Sequence, residues 1–166
     1  MHERKHPRLK HNDYSQPGYY YVTICAADES VCLSRVGRGL APAIAQVTPT
    51  EAGRIAREQL LALEQRFPYV RIDKYVIMPN HIHAIVELKG VLMPGTSRPD
   101  LMAILCAYKS ITTRLLNQAF ESQGKKWFQT SFYETVLRNE KAYQECWKYI
   151  DENPMKMILG YHIPLR

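Results

Sequence analysis

The sequence predicts one mixed α+β domain of the α/β class, in which strands and amphipathic helices alternate along the chain. With 166 residues, of which 46% are hydrophobic, the chain is long enough to enclose one core. Aromatic and β-branched residues after Pro17-Gly18 predict a strand over residues 19–25. Apolar residues spaced three and four apart predict helices further along. The Pro79-Asn80 pair between two apolar runs predicts a tight turn, and therefore a β-hairpin.

The other elements of the first half follow from local patterns. Residues 28–49 contain several glycines and prolines, which suit a loop or an irregular hairpin. Thr50 then opens a helix, because apolar residues recur at helical spacing as far as about Arg66, before Pro68 stops it. The two strands of the predicted hairpin occupy residues 70–78 and 81–88.

The second half predicts two more helices with a strand between them. Asp100 is placed to cap the first of these helices, since an amphipathic apolar pattern begins directly after it. Residues 131–137 have the composition of a strand. Asn139 caps the last helix, which we expect to end near Asn153 because Pro154 disfavours helical geometry at the residue before it.

The charge balance favours a polyanionic partner. Lys and Arg outnumber Asp and Glu by 22 to 16, which gives a net charge of +6 and makes nucleic acid the first candidate. Residues 1–13 are predicted to form a basic arm, and residues 14–166 a single domain. The sequence has no run of about 18 apolar residues, no apolar signal segment and no C-x-x-C pair. These features predict a cytoplasmic protein without a membrane partner.

His81 and His83 form the most informative motif. A strand turns every second side chain to the same face, so both imidazoles project together while Ile82 and Ala84 point away. Two imidazoles on a rigid strand indicate a divalent-metal site, with hydrogen-bonded structural histidines as the alternative. A zinc hydrolase also uses such pairs, but no third ligand follows at a zinc-like interval. Glu87 lies roughly 13 Å along the strand from His83, too far to bind the same ion.

A second group of polar residues lies on the last predicted helix. Tyr149 falls at the flank of its apolar stripe, with Asn153 one turn later and Glu145 one turn earlier. The simplest interpretation is a half-buried tyrosine with polar neighbours. Combined with a metal held by the histidines, however, the phenol is suited to attack a phosphodiester as a nucleophile. Tyr108 is the competing nucleophile, but it lies on an apolar helix stripe.

Several segments together resemble one protein family. The chain is similar to the single-tyrosine HUH transposases, and most closely to the REP-associated tyrosine transposases of bacteria. The similarity runs from about residue 8 to residue 160, with the motifs in the family's order and at family-like spacing. The segments that carry it are residues 14–25, 76–83, 108–114, 127–134 and 149–154.

The resemblance implies a fold, a cofactor and a reaction. The fold is a ferredoxin-like HUH nuclease fold with a central antiparallel sheet flanked by helices, in which the histidine pair lies on a central strand. The cofactor is Mg²⁺ or Mn²⁺, held by His81, His83 and Asn153, the last of which is often Gln in the wider family. Tyr149 is the implied nucleophile, and it forms a 5′-phosphotyrosine with single-stranded DNA near hairpins. Activity is expected to fall below about pH 6, as the imidazoles become protonated.

Basic and aromatic side chains are candidate DNA contacts. A solvated basic surface is the alternative for the cations, and core packing is the alternative for Trp127. The candidates are Arg4, Lys5, Arg8, Lys10, Lys109, Arg114, Lys125, Lys126, Trp127, Arg138, Lys148 and Lys156.

The sequence predicts a DNA transposase or nickase that cuts and rejoins single strands at REP-like hairpins, located in the bacterial cytoplasm at the nucleoid. One alternative is a catalytically idle, domesticated hairpin-binding protein, which binds hairpins without metal-dependent cleavage. Another is a phosphodiesterase without a covalent intermediate, whose cleavage survives the loss of Tyr149. The sequence is compatible with a monomer or a homodimer.

Overall fold

The computed structural model describes residues 13–40, 44–90, 95 and 97–160. The predicted arm therefore lies outside the described residues, apart from Asp13. A four-stranded antiparallel sheet with the strand order β4-β5-β1-β6 is flanked by helices, and a separate two-stranded hairpin pairs β2 with β3. The predicted fold class is confirmed. The elements are β1 (Gly18–Cys25), β2 (Ser34–Arg38), β3 (Ala45–Pro49), α1 (Glu51–Leu61), α2 (Leu63–Arg66), β4 (Val70–Ile77), β5 (His81–Leu88), α3 (Leu101–Ala119), β6 (Tyr133–Leu137) and α4 (Glu140–Ile158).

The histidine pair opens a central strand, because β5 is hydrogen-bonded to β4 on one side and to β1 on the other. His83 lies opposite Thr23 of β1, and His81 lies opposite Cys25. The Pro79-Asn80 turn closes the β4–β5 hairpin as predicted, with the Met78 N–H donating to the His81 carbonyl at 2.8 Å. The start of β5 is thus fixed by hydrogen bonds on both sides.

The two faces of the sheet have different roles. Ile82, Ala84 and Val86 of β5 join the main core, which α1 and α3 cover. Residues of the opposite parity, including Ile85, face α4 in a smaller apolar cluster with Ile150. The predicted alternation along β5 is therefore confirmed, and α4 is the helix that covers the histidine face.

A β-bulge interrupts the edge strand β4. The pairing of β4 with β5 passes directly from Ile72 to Lys74, which leaves Asp73 as an extra residue. An extra residue shifts the alternation by one, so two consecutive side chains turn to the same face. Asp73 and Lys74 accordingly both reach α4, where Asp73 accepts a hydrogen bond from Tyr143 and Lys74 pairs with Asp151.

Three helices begin with side-chain caps, of which those at Asp100 and Asn139 were predicted. Thr50, Asp100 and Asn139 each accept a hydrogen bond from the backbone N–H three residues later. The first turn of α1 also packs closely on the chain before β2. A Cβ added to Gly53 would lie 1.8 Å from the Leu33 carbonyl oxygen, so only glycine allows this approach.

The predicted end of the last helix is wrong, because α4 continues through Pro154 to Ile158. Proline removes one backbone donor, and a helix can absorb that loss when its flanks are held by packing. Here Asn153 and Pro154 are both buried, and Lys156 pairs with Glu152 across the proline at 3.0 Å.

Three other boundaries differ slightly from the predictions. The helix after Thr50 breaks at Ala62 into α1 and α2. The predicted strand over residues 131–137 begins two residues later, at Tyr133. Residues 28–49 do contain a hairpin, in which Val36 of β2 lies opposite Val47 of β3. Among the described residues, no helix has the length and apolar character required to cross a membrane.

Candidate active site

The two imidazoles lie side by side beneath α4. The ring centroids of His81 and His83 are 4.4 Å apart, with the ring planes at 65°. His81 is 6% exposed and His83 is fully buried. Burial lowers the pKa of His81 to about 4, although the Asn153 side chain partly offsets this effect. Burial and the neighbouring His81 together lower the pKa of His83 to about 3. Both rings are therefore neutral at pH 7, the state required of a metal ligand.

Each histidine is oriented through its Nδ1 atom. His81 Nδ1 lies 2.7 Å from the side-chain oxygen of Asn80, and His83 Nδ1 lies 2.8 Å from the Tyr21 hydroxyl and 2.9 Å from that of Thr23. An amide oxygen only accepts hydrogen bonds, so the Asn80 contact places a proton on Nδ1 of His81. The lone pair of His81 then lies on Nε2. The two hydroxyls accept equally well from a protonated Nδ1 of His83.

The Nε2 atoms and the Asn153 amide form a group of unsatisfied polar atoms. The Asn153 amide lies close enough to the His81 imidazole and the Tyr149 phenol to shift the pKa of both. Nε2 of His81, Nε2 of His83 and both polar atoms of the Asn153 amide are buried, and none of them makes a hydrogen bond of ordinary geometry among the described residues. Buried polar atoms of this kind are costly unless something binds them. The donor set of two imidazole nitrogens and one amide oxygen fits a divalent cation.

Asn153 supplies the third donor to this group from α4. The described residues contain no cluster of three His, Cys, Asp or Glu side chains that could hold a metal. Glu87, which shares the histidine face of β5, lies 3.6 Å from Arg71 in a separate polar group. Within the described part of the chain, the third polar group beside the two imidazoles is therefore an amide rather than a carboxylate.

Tyr149 lies next to this group on α4. Its ring is half-buried and meets the His83 ring edge to face, with centroids 5.5 Å apart. Burial raises the pKa of the Tyr149 phenol, whereas the Asn153 amide lowers it. The Lys156 ammonium lies 5.2 Å from the centre of the Tyr149 ring. The Tyr149 ring thus contacts a buried histidine, His83, and a partly exposed cation, Lys156.

Lys109 and Trp127, two of the predicted DNA contacts, donate hydrogen bonds to other segments of the chain. Lys109 donates hydrogen bonds to the carbonyls of Gln129 and Thr130 at 2.6 and 2.7 Å. Trp127 is 4% exposed, and its indole N–H donates to the Asn117 side chain at 2.8 Å. Their positions support packing and loop anchoring, and their contact with DNA stays a prediction.

The other predicted contacts are distributed over several surfaces. Lys148 and Lys156 both pair with Glu152 on α4, at 3.6 and 3.0 Å. Lys125 lies 4.4 Å above the Trp127 ring. Exposed positions are held by Arg114, Lys126 and Arg138, whereas Arg4, Lys5, Arg8 and Lys10 lie outside the described residues.

Sequence reasoning missed the three side chains that orient the histidines. Tyr21 and Thr23 lie two apart on β1, so they share a face of the sheet, and β1 pairs directly with β5. Asn80 directly precedes His81 in the turn. The period-two spacing of polar residues on β1 was the available signal, but its use requires knowing that β1 and β5 are neighbours.

Comparisons with known proteins identify one related sequence and two solved structures with a similar fold. No family model matches the chain. An uncharacterized protein of Haemophilus influenzae is 29% identical over 168 residues, which cover 93% of this chain and 90% of that protein. The structure of a REP-associated tyrosine transposase bound to a REP hairpin aligns with a TM-score of 0.59 and 19% identity, over 98% of this chain and 76% of that one. A protein from Deinococcus radiodurans assigned as a transposase aligns over 98% of both chains, with a TM-score of 0.50 and 12% identity.

These two solved structures show a shared fold with the present chain, a mixed α/β fold in which helices flank a four-stranded antiparallel sheet.

Proposed function

We propose that this protein is a metal-dependent tyrosine transposase or nickase that cleaves and rejoins single-stranded DNA at hairpins. The observation that carries the proposal is the group of unsatisfied buried atoms on His81, His83 and Asn153, directly beside the phenol of Tyr149. A metal site next to a nucleophile is the minimum that phosphoryl transfer through a covalent enzyme intermediate requires.

The ligands in this proposal are Nε2 of His81, Nε2 of His83 and the amide oxygen of Asn153. The ion is Mg²⁺ or Mn²⁺, of which Mn²⁺ is the better match to imidazole nitrogen. When bound, such an ion polarises a phosphodiester and offsets the negative charge that develops on the leaving oxygen. Asn80, Tyr21 and Thr23 hold the imidazoles in the orientation that directs both Nε2 atoms toward α4.

Tyr149 is the proposed nucleophile. Its Oη forms a bond to phosphorus while the bond from phosphorus to the 3′-oxygen breaks, and the DNA downstream of the cut stays attached through its 5′-phosphate as a phosphotyrosine. The phenol proton passes to solvent, and the departing 3′-oxygen takes up a proton. The phosphotyrosine keeps the energy of the phosphodiester, so a second 3′-hydroxyl can displace Tyr149 and rejoin a strand.

The proposed partner is single-stranded DNA with a hairpin. The net charge of +6 supports a polyanionic partner, and the REP-associated transposase with the same fold is bound to a REP hairpin. The proposal includes a single domain over residues 14–166 that follows a basic arm, and a monomeric or homodimeric protein in the bacterial cytoplasm at the nucleoid.

The test of the reaction is covalent capture. The protein is incubated with Mn²⁺ and labelled hairpin-bearing single-stranded DNA, and adducts are counted after denaturing electrophoresis. Wild type and the control Tyr69→Phe, which loses a hydroxyl that bonds the Pro99 carbonyl, should both form the adduct. Tyr149→Phe should not. Equal adduct from Tyr149→Phe contradicts the proposal, cleavage without any adduct favours a phosphodiesterase, and hairpin binding without cleavage favours an idle binding protein.

The metal site is tested separately from the reaction. Free Mn²⁺ is measured by electron paramagnetic resonance during titration of the protein without DNA. Asn153→Ala should weaken Mn²⁺ binding about tenfold or more, because it removes an oxygen ligand, and Asn153→Asp should restore or exceed wild-type affinity. Identical affinities for wild type and Asn153→Ala would remove Asn153 from the ligand set.

A further inference from the structure

The β-bulge of β4 brings two charged side chains under α4. In a regular strand Asp73 and Lys74 would point to opposite faces, and Lys74 would enter the main core. The extra residue shifts the alternation, so that Lys74 and Val76 face α4 while Tyr75 and Ile77 pack in the main core. The bulge therefore gives two adjacent residues of β4 polar contacts with the same helix, α4.

The contacts with α4 are specific and directional. Asp73 accepts a hydrogen bond from the Tyr143 hydroxyl at 2.5 Å. The Lys74 ammonium lies 2.8 Å from the Asp151 carboxylate and 3.6 Å from the centre of the Trp147 ring. Tyr143, Trp147 and Asp151 are spaced by four residues, so they form one row along two turns of α4.

This row determines where the functional face of α4 lies. Contacts two turns apart fix both the rotation of a helix about its axis and its position along that axis. Tyr149 lies midway between Trp147 and Asp151 in sequence, and Asn153 lies two residues after Asp151. The apolar cluster between α4 and the sheet includes Ile150 of α4 and Ile85 of β5, and hydrophobic contacts of this kind are non-directional. The polar contacts therefore supply the directional constraint.

We propose that Asp73 and Lys74 are positioning residues that hold α4 in register on the sheet, and so set the location of Tyr149 and Asn153 against His81 and His83. We call these two residues the α4 clasp. The inference rests on the proposed function for its catalytic consequence, whereas the clasp itself is independent of metal. Neither residue touches the reacting groups, and both act only through α4.

The test combines two substitutions that break the clasp in one double variant, and compares it with two controls. Lys74→Met keeps an apolar stem against Trp147 but loses the charge, and Tyr143→Phe keeps the ring against Tyr19 but loses the hydrogen bond to Asp73. Lys141→Met is the matched control, because it removes a lysine of α4 whose partner, Glu145, lies on the same helix. Lys74→Arg is the conservative control, since it keeps both the charge and the ring contact.

Two measurements are made on the full chain. Hydrogen exchange should speed up about tenfold for amides of α4 in the Lys74→Met/Tyr143→Phe double variant, with β1 and β5 unchanged. Mn²⁺ affinity should fall about tenfold in the same variant. The controls Lys141→Met and Lys74→Arg should stay within about twofold of wild type in both measurements. A purely structural role would instead speed exchange in all elements and leave Mn²⁺ affinity intact.

The outcomes separate the clasp from the proposed function. If wild type binds Mn²⁺ and the double variant binds it equally well, the positioning role is overturned. If wild type does not bind Mn²⁺, the proposed metal site is wrong. The clasp is then tested only by the rate of amide hydrogen exchange in α4. In that case faster exchange confined to α4 supports it, and unchanged exchange overturns it.

Discussion

The side-chain oxygen of Asn80 lies 2.7 Å from Nδ1 of His81, and this contact fixes which nitrogen of the imidazole carries the proton. Because the amide oxygen can only accept, Nδ1 is the donor and Nε2 keeps its lone pair toward α4. A residue of the turn thus leaves Nε2 of a strand residue with a free lone pair, which is the state that the proposed metal site requires.

Removing this acceptor should weaken metal binding without removing a ligand. We expect Asn80→Leu to lower Mn²⁺ affinity about 10- to 100-fold, as is typical when the partner of a ligating histidine is lost. Asn80→Asp keeps an acceptor at the same place and should stay near wild type. Mn²⁺ titration checks the affinity, and ¹⁵N NMR of the imidazole checks the tautomer. Wild-type affinity in Asn80→Leu would show that the ring is oriented by other contacts.

Burial of the histidines gives the unfolding free energy a defined pH dependence. The folded-state pKa values of His81 and His83 are about 4 and about 3, below the ordinary value of 6.5. Between pH 6.5 and about 4 the unfolded chain binds protons on these side chains and the folded protein does not. Stability from the two histidines is therefore complete above pH 6.5 and decreases as the pH falls, by at most about 1.4 kcal/mol per pH unit for each.

This dependence is checked in metal-free buffer. Denaturant unfolding at pH 7 and pH 5 should show the loss of stability, and NMR at pH 5 should still find both imidazoles neutral. Sequence alone predicted protonation near pH 6, and the structure moves it to lower pH. An imidazole of His81 or His83 that titrates near pH 6.5 in the folded protein would contradict the burial argument.

Replacing Lys109 should affect stability as well as DNA binding. Its ammonium holds the carbonyls of Gln129 and Thr130, and hydrogen bonds from charged groups contribute more than neutral ones. We expect Lys109→Met to cost about 1–2 kcal/mol of unfolding free energy. The comparison is Lys126→Met, which removes an exposed charge and should lower hairpin affinity in low salt without a comparable loss of stability. Equal stability of the two variants would argue against the anchoring role of Lys109.

At Gly53, the replacement of glycine by alanine should destabilise the protein, although the same change usually stabilises a helix. Alanine is usually favoured over glycine inside a helix by about 1 kcal/mol. Here the added Cβ would meet the Leu33 carbonyl, so we expect Gly53→Ala to destabilise the protein by about 2 kcal/mol or more. Gly37→Ala is the control, because a Cβ there meets nothing within 4 Å. Thermal unfolding compares the two, and equal midpoints would mean that α1 shifts freely.

The features predicted from sequence were those set by local patterns. The alternation along β5 follows from strand geometry, so the shared face of His81 and His83 could be read directly from the chain. The caps at Asp100 and Asn139 each depend on one side chain and a backbone amide three residues away. Such short-range rules leave few alternatives, because the interacting groups are close in sequence.

The features that sequence could not provide depend on contacts between distant elements. Nothing local marks Asp73 as an extra residue, since a bulge is defined by the pairing of β4 with β5. Helical geometry at Pro154 is sustained by the burial of Asn153 and Pro154 within α4, which outweighs the local tendency of proline to end a helix. The convergence of Asn153 on the histidines likewise requires the docking of α4 across the sheet.

The alternating faces of β5 divide the consequences of mutation by the parity of residue number. Substitutions at Ile82, Ala84 and Val86 should lower the free energy of unfolding, because these residues lie in the main core, and so lower the amount of protein in the cell. Substitutions at His81 and His83 do not change the main core, and should instead affect the activity proposed for the α4 face. An abundance screen of this eight-residue strand should therefore select Ile82, Ala84 and Val86, whereas an activity screen should select His81 and His83.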